Sequence, residues 1–370
     1  YADAGRGSAL GAIVAHQDSS PPAILAIANG EDVRGTETAE ALAERTVSSI
    51  KKISSDLLTA LPKTEGGRAT RFDSSLCLLA SPFYTTETTT VRYQGERVQV
   101  TEELIKKLIA SHRHGQPEIK KMRLTSSKII NLSVNGYPTS KPYGKYGTEV
   151  SITIFESGVD EDITRRLRAA ILSSSGTEPS FAPFSFPAFT VLRELCDAPD
   201  SFLIVSTGNR VTELAKVRSG VLENTVSFPL GTDILHSAIA RSAKSSVSSG
   251  ASLLALSKRG HLSEGLIPVV PGEWQQEFGK ALTLIEEHGA IPHTVYCVGD
   301  GDARILFRSL EGTPQNAPSA LPTGSLTTVV DQDDMGQLLA QVGPRASVFL
   351  SLSALYQNLI AHPDKMHSRK

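Results

Sequence analysis

Two glycine turns, about two hundred residues apart, carry the residues of this chain best suited to chemistry. Asp3-Ala4-Gly5-Arg6-Gly7-Ser8-Ala9-Leu10-Gly11-Ala12-Ile13-Val14 aligns without gaps on Ser206-Thr207-Gly208-Asn209-Arg210-Val211-Thr212-Glu213-Leu214-Ala215-Lys216-Val217. Glycine admits positive φ and close approach of the main chain, so consecutive N–H groups in such a turn can converge on phosphate oxygens. A carboxylate opening the turn can hold a hydrated Mg²⁺ against those phosphates. Asp3 fills that place in the first copy, whereas Ser206 in the second offers hydrogen bonds but no charge. One such turn alone is more often an ordinary hairpin. Two of them suggest the halves of a clamp around one phosphate chain.

Two later segments could join that clamp. Leu230-Gly231-Thr232-Asp233 opens a helix that Thr232 or Asp233 can cap, and its first N–H groups are either an anion site or plain helix entry. His293 to Val298 reads as a buried strand ending in Gly299-Asp300-Gly301-Asp302, with a helix from Ala303 to Leu310. Strand, glycine turn and helix make a common nucleotide contact, and also a common turn.

The elements that must position these turns alternate between strand and helix. Leu10 to Ala15 and Ile24 to Ala28 read as strands, and Thr38 to Leu61 as a helix with Val47, Ile50, Ile53, Leu57 and Leu58 at helical spacing. Pro62 to Arg71 reads as a boundary loop. Leu76 to Leu79, a Thr-rich extended run Thr85 to Arg92, and a helix Thr101 to Ser111 follow. Lys128 to Val134 and Thr148 to Phe155 alternate around Asn135-Gly136-Tyr137-Pro138-Thr139, which predicts a long hairpin with a basic tip. Asp160 to Leu172 is a helix with acids suited to its N-terminus. In the second half the strands are Phe202 to Val205, Val211 to Val217 and Val221 to Ser227. Helices follow at Ile234 to Ala240 and Trp274 to Glu287, with a Ser-rich connector from Ser242 to Ser252.

The bulk properties exclude several classes. At 370 residues the chain is longer than a typical single domain. Its 37 Lys and Arg against 39 Asp and Glu, with no long run, leave no nucleic-acid footprint. No apolar stretch is long enough to cross a bilayer and no signal peptide precedes the first strand, so a cytoplasmic location is expected. Cys77, Cys196 and Cys297 lie in separate apolar runs and read as buried, reduced thiols. His112 and His114 lack companions at metal-ligand spacing, and Trp274 reads as a core anchor.

Glycine turns opening both halves, Ser227-Phe228-Pro229-Leu230-Gly231, the strand end Val298-Gly299-Asp300-Gly301 and an α+β insertion in the first half together resemble the actin-like ATPase superfamily. Within it the chain resembles the bacterial FtsA and PilM group, over nearly its whole length except residues 242–272, which match little. The resemblance implies an α/β fold, a duplicated actin-like (ribonuclease H-like) pair of domains around a nucleotide cleft. The first domain would take residues 1–72, completed by 178–200 and by the C-terminal helix 347–361. The inserted α+β subdomain would take 73–177, and the second domain 201–346.

The same resemblance implies residue roles. Asp3, Gly5, Arg6, Gly7 and Ser8 match the first phosphate loop, with Asp3 toward the metal. Ser206, Gly208, Asn209 and Thr212 match the second loop, and Gly231, Gly299 and Gly301 match further nucleotide contacts. ATP and Mg²⁺ are the implied cofactors, which the cleft either still takes or has lost. Three departures argue for loss: Ser206 stands where an aspartate is normal, Asp300 where a glycine is, and Phe184-Ser185-Phe186-Pro187 holds no acid or amide to orient an attacking water. No catalytic residue is assigned, and slow or absent hydrolysis is expected.

Two function classes follow. One is a scaffold acting in membrane-associated assembly, in cell division as for FtsA or in type IV pilus assembly as for PilM. It would reach the inner membrane through a protein partner and could also self-associate. The other is a working ATPase or small-molecule kinase on the same fold. The last helix, Ser347 to Ala361, is followed only by a short polar stretch rather than an amphipathic membrane helix, which fits the PilM-like ending slightly better. On the insert, Tyr137, Lys141, Tyr143 and Lys145 are the partner-contact candidates, with Arg123 read as part of the basic cluster. A solvated hairpin edge is the alternative for that cluster.

Overall fold

The computed structural model describes residues 2–4, 8–17, 20–32, 38–60, 72–113, 123–139, 141–246, 249–259, 270–287, 289–310, 321–340 and 346–362. Three β-sheets organise them. The first contains β1 (Ala2–Ala4), β2 (Ser8–Gln17), β3 (Ser20–Asp32), β4 (Ser75–Leu79) and β9 (Pro179–Pro183), in the order β3-β2-β1-β4-β9. Strands β2 and β3 form an antiparallel hairpin on β1, while β1, β4 and β9 are parallel.

The second sheet repeats this plan. It contains β10 (Phe202–Thr207), β11 (Thr212–Arg218), β12 (Val221–Phe228), β13 (Thr294–Val298) and β14 (Leu326–Val330), in the order β12-β11-β10-β13-β14. The register repeats with it. Asp3 pairs with Leu10 on one side and Leu78 on the other, and Ser206 pairs with Glu213 and Val298. The strands that flank the two aligned turns therefore occupy equivalent places in two copies of one sheet. Cys77 and Cys297 are equivalent in the same way, beside Ala2 and Val205.

Helices cover both sheets because the parallel strands are buried on both faces. On the first sheet, α1 (Ala39–Ala60) buries Val47, Ile50, Ile53 and Leu57 of the stripe its periodicity predicts, while Leu58 is exposed; they pack with Ile163, Leu167 and Ile171 of α3 (Glu161–Ser175). Asp160 caps α3 by accepting from the Asp162 and Ile163 N–H groups. On the second sheet, α5 (Asp233–Ser242), α6 (Gly250–Lys258), α7 (Gly272–Glu286) and α8 (Ala303–Phe307) enclose a core around Leu203, Val205, Trp274 and Cys297. The fully buried Lys216 reaches the last turn of α7, donating to Gly289 O at 3.0 Å and Ile285 O at 3.3 Å.

Between the sheets lies a third layer. Helices α4 (Ser185–Leu195) and α10 (Val348–Ala361) share one apolar cluster with Leu76 and Leu78 of the first sheet and Phe202, Ile204 and Val298 of the second. Phe186 meets Tyr356 edge to face with ring centroids 6.1 Å apart. The short α9 (Gln332–Gly336) starts at a capping box on Asp331 and adds Met335 to the cluster.

The insertion is a separate four-stranded sheet, β5-β8-β6-β7. It is built from β5 (Tyr84–Gln99), β6 (Arg123–Val134), β7 (Tyr137–Pro138) and β8 (Tyr146–Val159), with α2 (Glu102–Arg113) against it. Val100, Ile105, Leu132, Val150, Ile152 and Ile154 form its own core. Within the span 73–177 given to the insert from the sequence, strand β4 pairs in the first sheet and α3 packs on α1. Helix α6 and strand β14 fall where the sequence analysis marked a connector or no element.

Candidate functional site

A cleft of about 270 Å³ opens where the strands of the second sheet end. Its walls are Thr207, Gly208 and Asn209 from the β10–β11 turn, Thr232 and His236 from the start of α5, and Asp300, Gly301 and Asp302 from the β13–α8 turn. Phe349 of α10 closes it.

The β10–β11 turn is locked onto α5. Thr232 N donates to Gly208 O at 3.0 Å and Asp233 N to Asn209 O at 2.9 Å. The N–H groups that an open helix N-terminus would present to an anion are thus bound by the turn's carbonyls. The anion reading of this helix entry is corrected accordingly, and Thr232 makes no side-chain cap. Gly231 is required by this contact, since a Cβ there would lie 2.2 Å from Gly208 O and 2.5 Å from the Asn209 carbonyl. Gly299 is equally confined, its Cβ position being 2.6 Å from the Ala303 side chain and 3.1 Å from Thr207 O. Both glycines serve packing behind the cleft.

Thr212 lies beneath the turn, fully buried. Its hydroxyl donates to Leu230 O at 2.7 Å and accepts from the Trp274 indole N–H at 3.1 Å, so it braces the turn from below. Ser206 is buried on the sheet face that looks toward the first half and is not part of the cleft wall. Asp3 is described in its backbone, next to Leu78. Gly5, Arg6, Gly7 and the Ser8 side chain lie outside the described residues.

The carboxylates of the cleft are engaged. Asp300 accepts from the Ser347 hydroxyl at 2.5 Å and from Val348 N at 2.8 Å, which places its charge on the N-terminus of α10. Asp302 Oδ2 lies 2.9 Å from His236 Nε2, and Asp233 Oδ1 lies 3.5 Å from His236 Nδ1. Hydrogen bonds to Asp233 and then Asp302 push the His236 pKa up to about 9, so the imidazole is a cation at neutral pH. Among the described residues no cluster of three or more His, Cys, Asp or Glu could hold a metal ion. These side chains do not offer an open carboxylate set for Mg²⁺.

No family model matches the sequence, and no curated protein does. Among solved structures, a PilM–PilN type IV pilus biogenesis complex superposes with a TM-score of 0.56 at 16% identity, covering 96% of this chain and 97% of that one. This chain has the actin-like ATPase fold. Weaker matches to that fold include EutJ, an ethanolamine utilization protein from Carboxydothermus hydrogenoformans, with a TM-score of 0.40, 12% identity, and 83% and 78% of the two chains covered. A Bacteroides thetaiotaomicron protein with an actin-like ATPase fold and unknown function follows, with a TM-score of 0.38, 9% identity, and 96% and 94% covered.

The strand leading into α4 is the place that the sequence resemblance gives to a water-orienting group. Here that junction is Phe184-Ser185-Phe186-Pro187, buried throughout, with Phe184 edge to face on Phe349 at 5.2 Å. Of the residues matched to nucleotide contacts in the sequence, Gly208, Asn209 and Gly301 line the cleft; Thr207, His236, Asp302 and Phe349 line it too and were given no such role. Only the Asp233–His236 spacing of three residues was a visible signal, since one helical turn brings such a pair together.

At the insert tip Tyr137, Tyr143 and Tyr146 are 78%, 62% and 52% exposed. Lys141 and Lys145 are exposed beside them; Lys145 Nζ donates to Thr139 Oγ1 at 2.6 Å, and Arg97 lies over the Tyr146 ring at 5.3 Å. Arg123 does not join this group. It pairs with Val159 at the opposite end of β6 from Val134, a strand length of roughly 36 Å away. None of the three cysteines is in a disulfide; Cys77 and Cys297 are fully buried and Cys196 is half-buried, and burial first, then Asp197, pushes the Cys196 thiol to about 11. No described helix is long and apolar enough to cross a membrane.

Proposed function

We propose that this chain is an actin-like scaffold with a degenerate nucleotide cleft, acting in membrane-associated assembly in the manner of PilM and FtsA. The observation that carries the reading is the Phe184–Pro187 junction. Where hydrolysis needs a group to orient water, the chain has a dry aromatic contact between α4 and α10. ATP and Mg²⁺ remain the ligands to test, with Asp3 as the metal-side carboxylate.

The partner side of the scaffold is the insert tip. Tyr137, Lys141, Tyr143 and Lys145 combine amphipathic rings with positive charge, which suits an acidic cytoplasmic segment of a membrane-anchored protein. Type IV pilus assembly is favoured over cell division by the likeness to the PilM–PilN complex. Calorimetric titration of MgATP, with Asp3→Ala as control and turnover assayed in parallel, tests the scaffold. Binding without turnover, or no binding at millimolar nucleotide, supports it. Metal-dependent turnover removes it in favour of an ATPase or kinase.

A further inference from the structure

The Thr-rich run at the start of β5 has no place in the cleft, yet its side chains follow a strict pattern. Tyr84, Thr86 and Thr88 project from one face of the strand, as alternate residues must. Each reaches the second half of the molecule. The Tyr84 hydroxyl donates to Glu213 Oε2, the Thr86 and Thr225 hydroxyls pair, and Thr88 Oγ1 donates to Leu222 O at 2.5 Å. Just before the strand, Ser227 Oγ donates to Ser81 Oγ at 2.8 Å. Four consecutive polar contacts therefore run from the first half and its insert along β12 and into β11.

Glu213 gives this row a buried anchor. It sits opposite Ser206 in the β10–β11 pair, so the two side chains share the sheet face toward the first half. Only 3% of it is exposed, and Tyr84 supplies one of the hydrogen bonds that a carboxylate at such a place demands. Leu78, Phe184, Phe202, Val298 and Tyr356 fill the space between the sheets with one continuous apolar cluster.

We propose that β5 is a strap which holds the two halves at a single separation, so that occupancy of the cleft neither opens nor closes the molecule. The inference rests on the scaffold reading, in which the cleft has no catalytic cycle to drive. It makes the protein a rigid platform whose insert and second half move together.

The test uses the full chain carrying Cys196→Ser, with spin labels at Lys52→Cys on α1 and Glu286→Cys on α7, both exposed. Electron–electron distance measurement should give one narrow distribution, the same with and without MgATP. Tyr84→Phe, Thr86→Ala and Thr88→Ala combined should broaden it at least twofold while far-UV circular dichroism stays unchanged. The set Thr86→Ser and Thr88→Ser, which keeps both hydroxyls, should stay narrow. Separately, Thr86→Cys with Thr225→Cys in the Cys196→Ser chain should form a disulfide with diamide as the two-electron oxidant, at equal yield with and without MgATP. A distance in the unreleased protein that shifts on adding MgATP overturns the strap, as does a released variant that remains narrow. Turnover of ATP with an unchanged distance would instead remove the scaffold reading and leave the strap standing.

Discussion

Asp300 and Ser347 join the cleft to the last helix, the Ser347 hydroxyl donating to the Asp300 carboxylate at 2.5 Å while Val348 N donates to its other oxygen at 2.8 Å. An aspartate stands here where the resemblance led one to expect glycine, and its carboxylate accepts from the first residues of α10. Asp300→Ala removes both acceptors from a helix end that has no replacement for Val348 N. The expected cost is about 1–2 kcal/mol in urea unfolding, the usual range for a lost N-terminal cap. Asp300→Gly, which restores the expected residue, should be at least as costly; a neutral result for both would show that the cap contributes nothing.

Gly231→Ala is expected to be damaging, since Gly231 is buried against the β10–β11 turn. The added methyl would sit 2.2 Å from Gly208 O, and backbone cannot yield as a side-chain tip can. The turn must separate from α5, at a cost of about 1–3 kcal/mol. Gly272→Ala, where a Cβ meets nothing within 4 Å, is the control and should unfold within about 0.5 kcal/mol of the parent.

Much of the fold was legible because burial imposes period and the duplication imposes register. The gapless alignment of Asp3 on Ser206 reappears as the pairings Asp3 with Leu10 and Ser206 with Glu213. The limits of the insert were not legible: the apolar run Leu76 to Leu79 suits either sheet, and only pairing with β1 and β9 assigns it. The cleft was half legible. Glycines announce a tight turn but not which way its peptides point, and only the α5 contacts show that the Gly208 and Asn209 carbonyls point to that helix. The partner of Asp300 lies 47 residues further along, beyond any local pattern.

His236 should make stability depend on pH. Its folded pKa, about 9, exceeds the ordinary value of 6.5 because Asp233 and Asp302 hold the cation. The folded state keeps its proton where the unfolded chain loses it, so this contribution is complete below pH 6.5 and disappears as pH rises through 9. Unfolding free energy should fall across that window in the parent, and the slope should flatten in His236→Gln. A titration of the His236 ring by NMR with a midpoint near 6.5 would contradict the ion-pair account.

Lys216 works in the opposite direction. Burial holds its pKa below the ordinary 10.5, against the raising effect of Glu223, so between its folded value and 10.5 the unfolded chain binds more protons and stability rises with pH. Lys216→Met removes that slope and leaves the Ile285 and Gly289 carbonyls without this donor. A loss of about 1–3 kcal/mol is expected, the cost of buried acceptors left unpaired.

Trp274 is the sole tryptophan and lies fully buried under the cleft, with its indole N–H on Thr212 Oγ1. Thr212 in turn bonds Leu230 O, next to the glycine that packs on the β10–β11 turn. The indole therefore reads the turn through two hydrogen bonds. Thr212→Val keeps the shape but removes the hydroxyl, leaving the indole N–H and the Leu230 carbonyl unpaired at a cost of about 1–3 kcal/mol. Its emission should shift to shorter wavelength, because the excited indole loses a polar partner. A ligand that engages Gly208 or Asn209 should perturb the parent emission and leave the variant's nearly unchanged. An equal response in both proteins would mean that Thr212 does not connect the turn to the core.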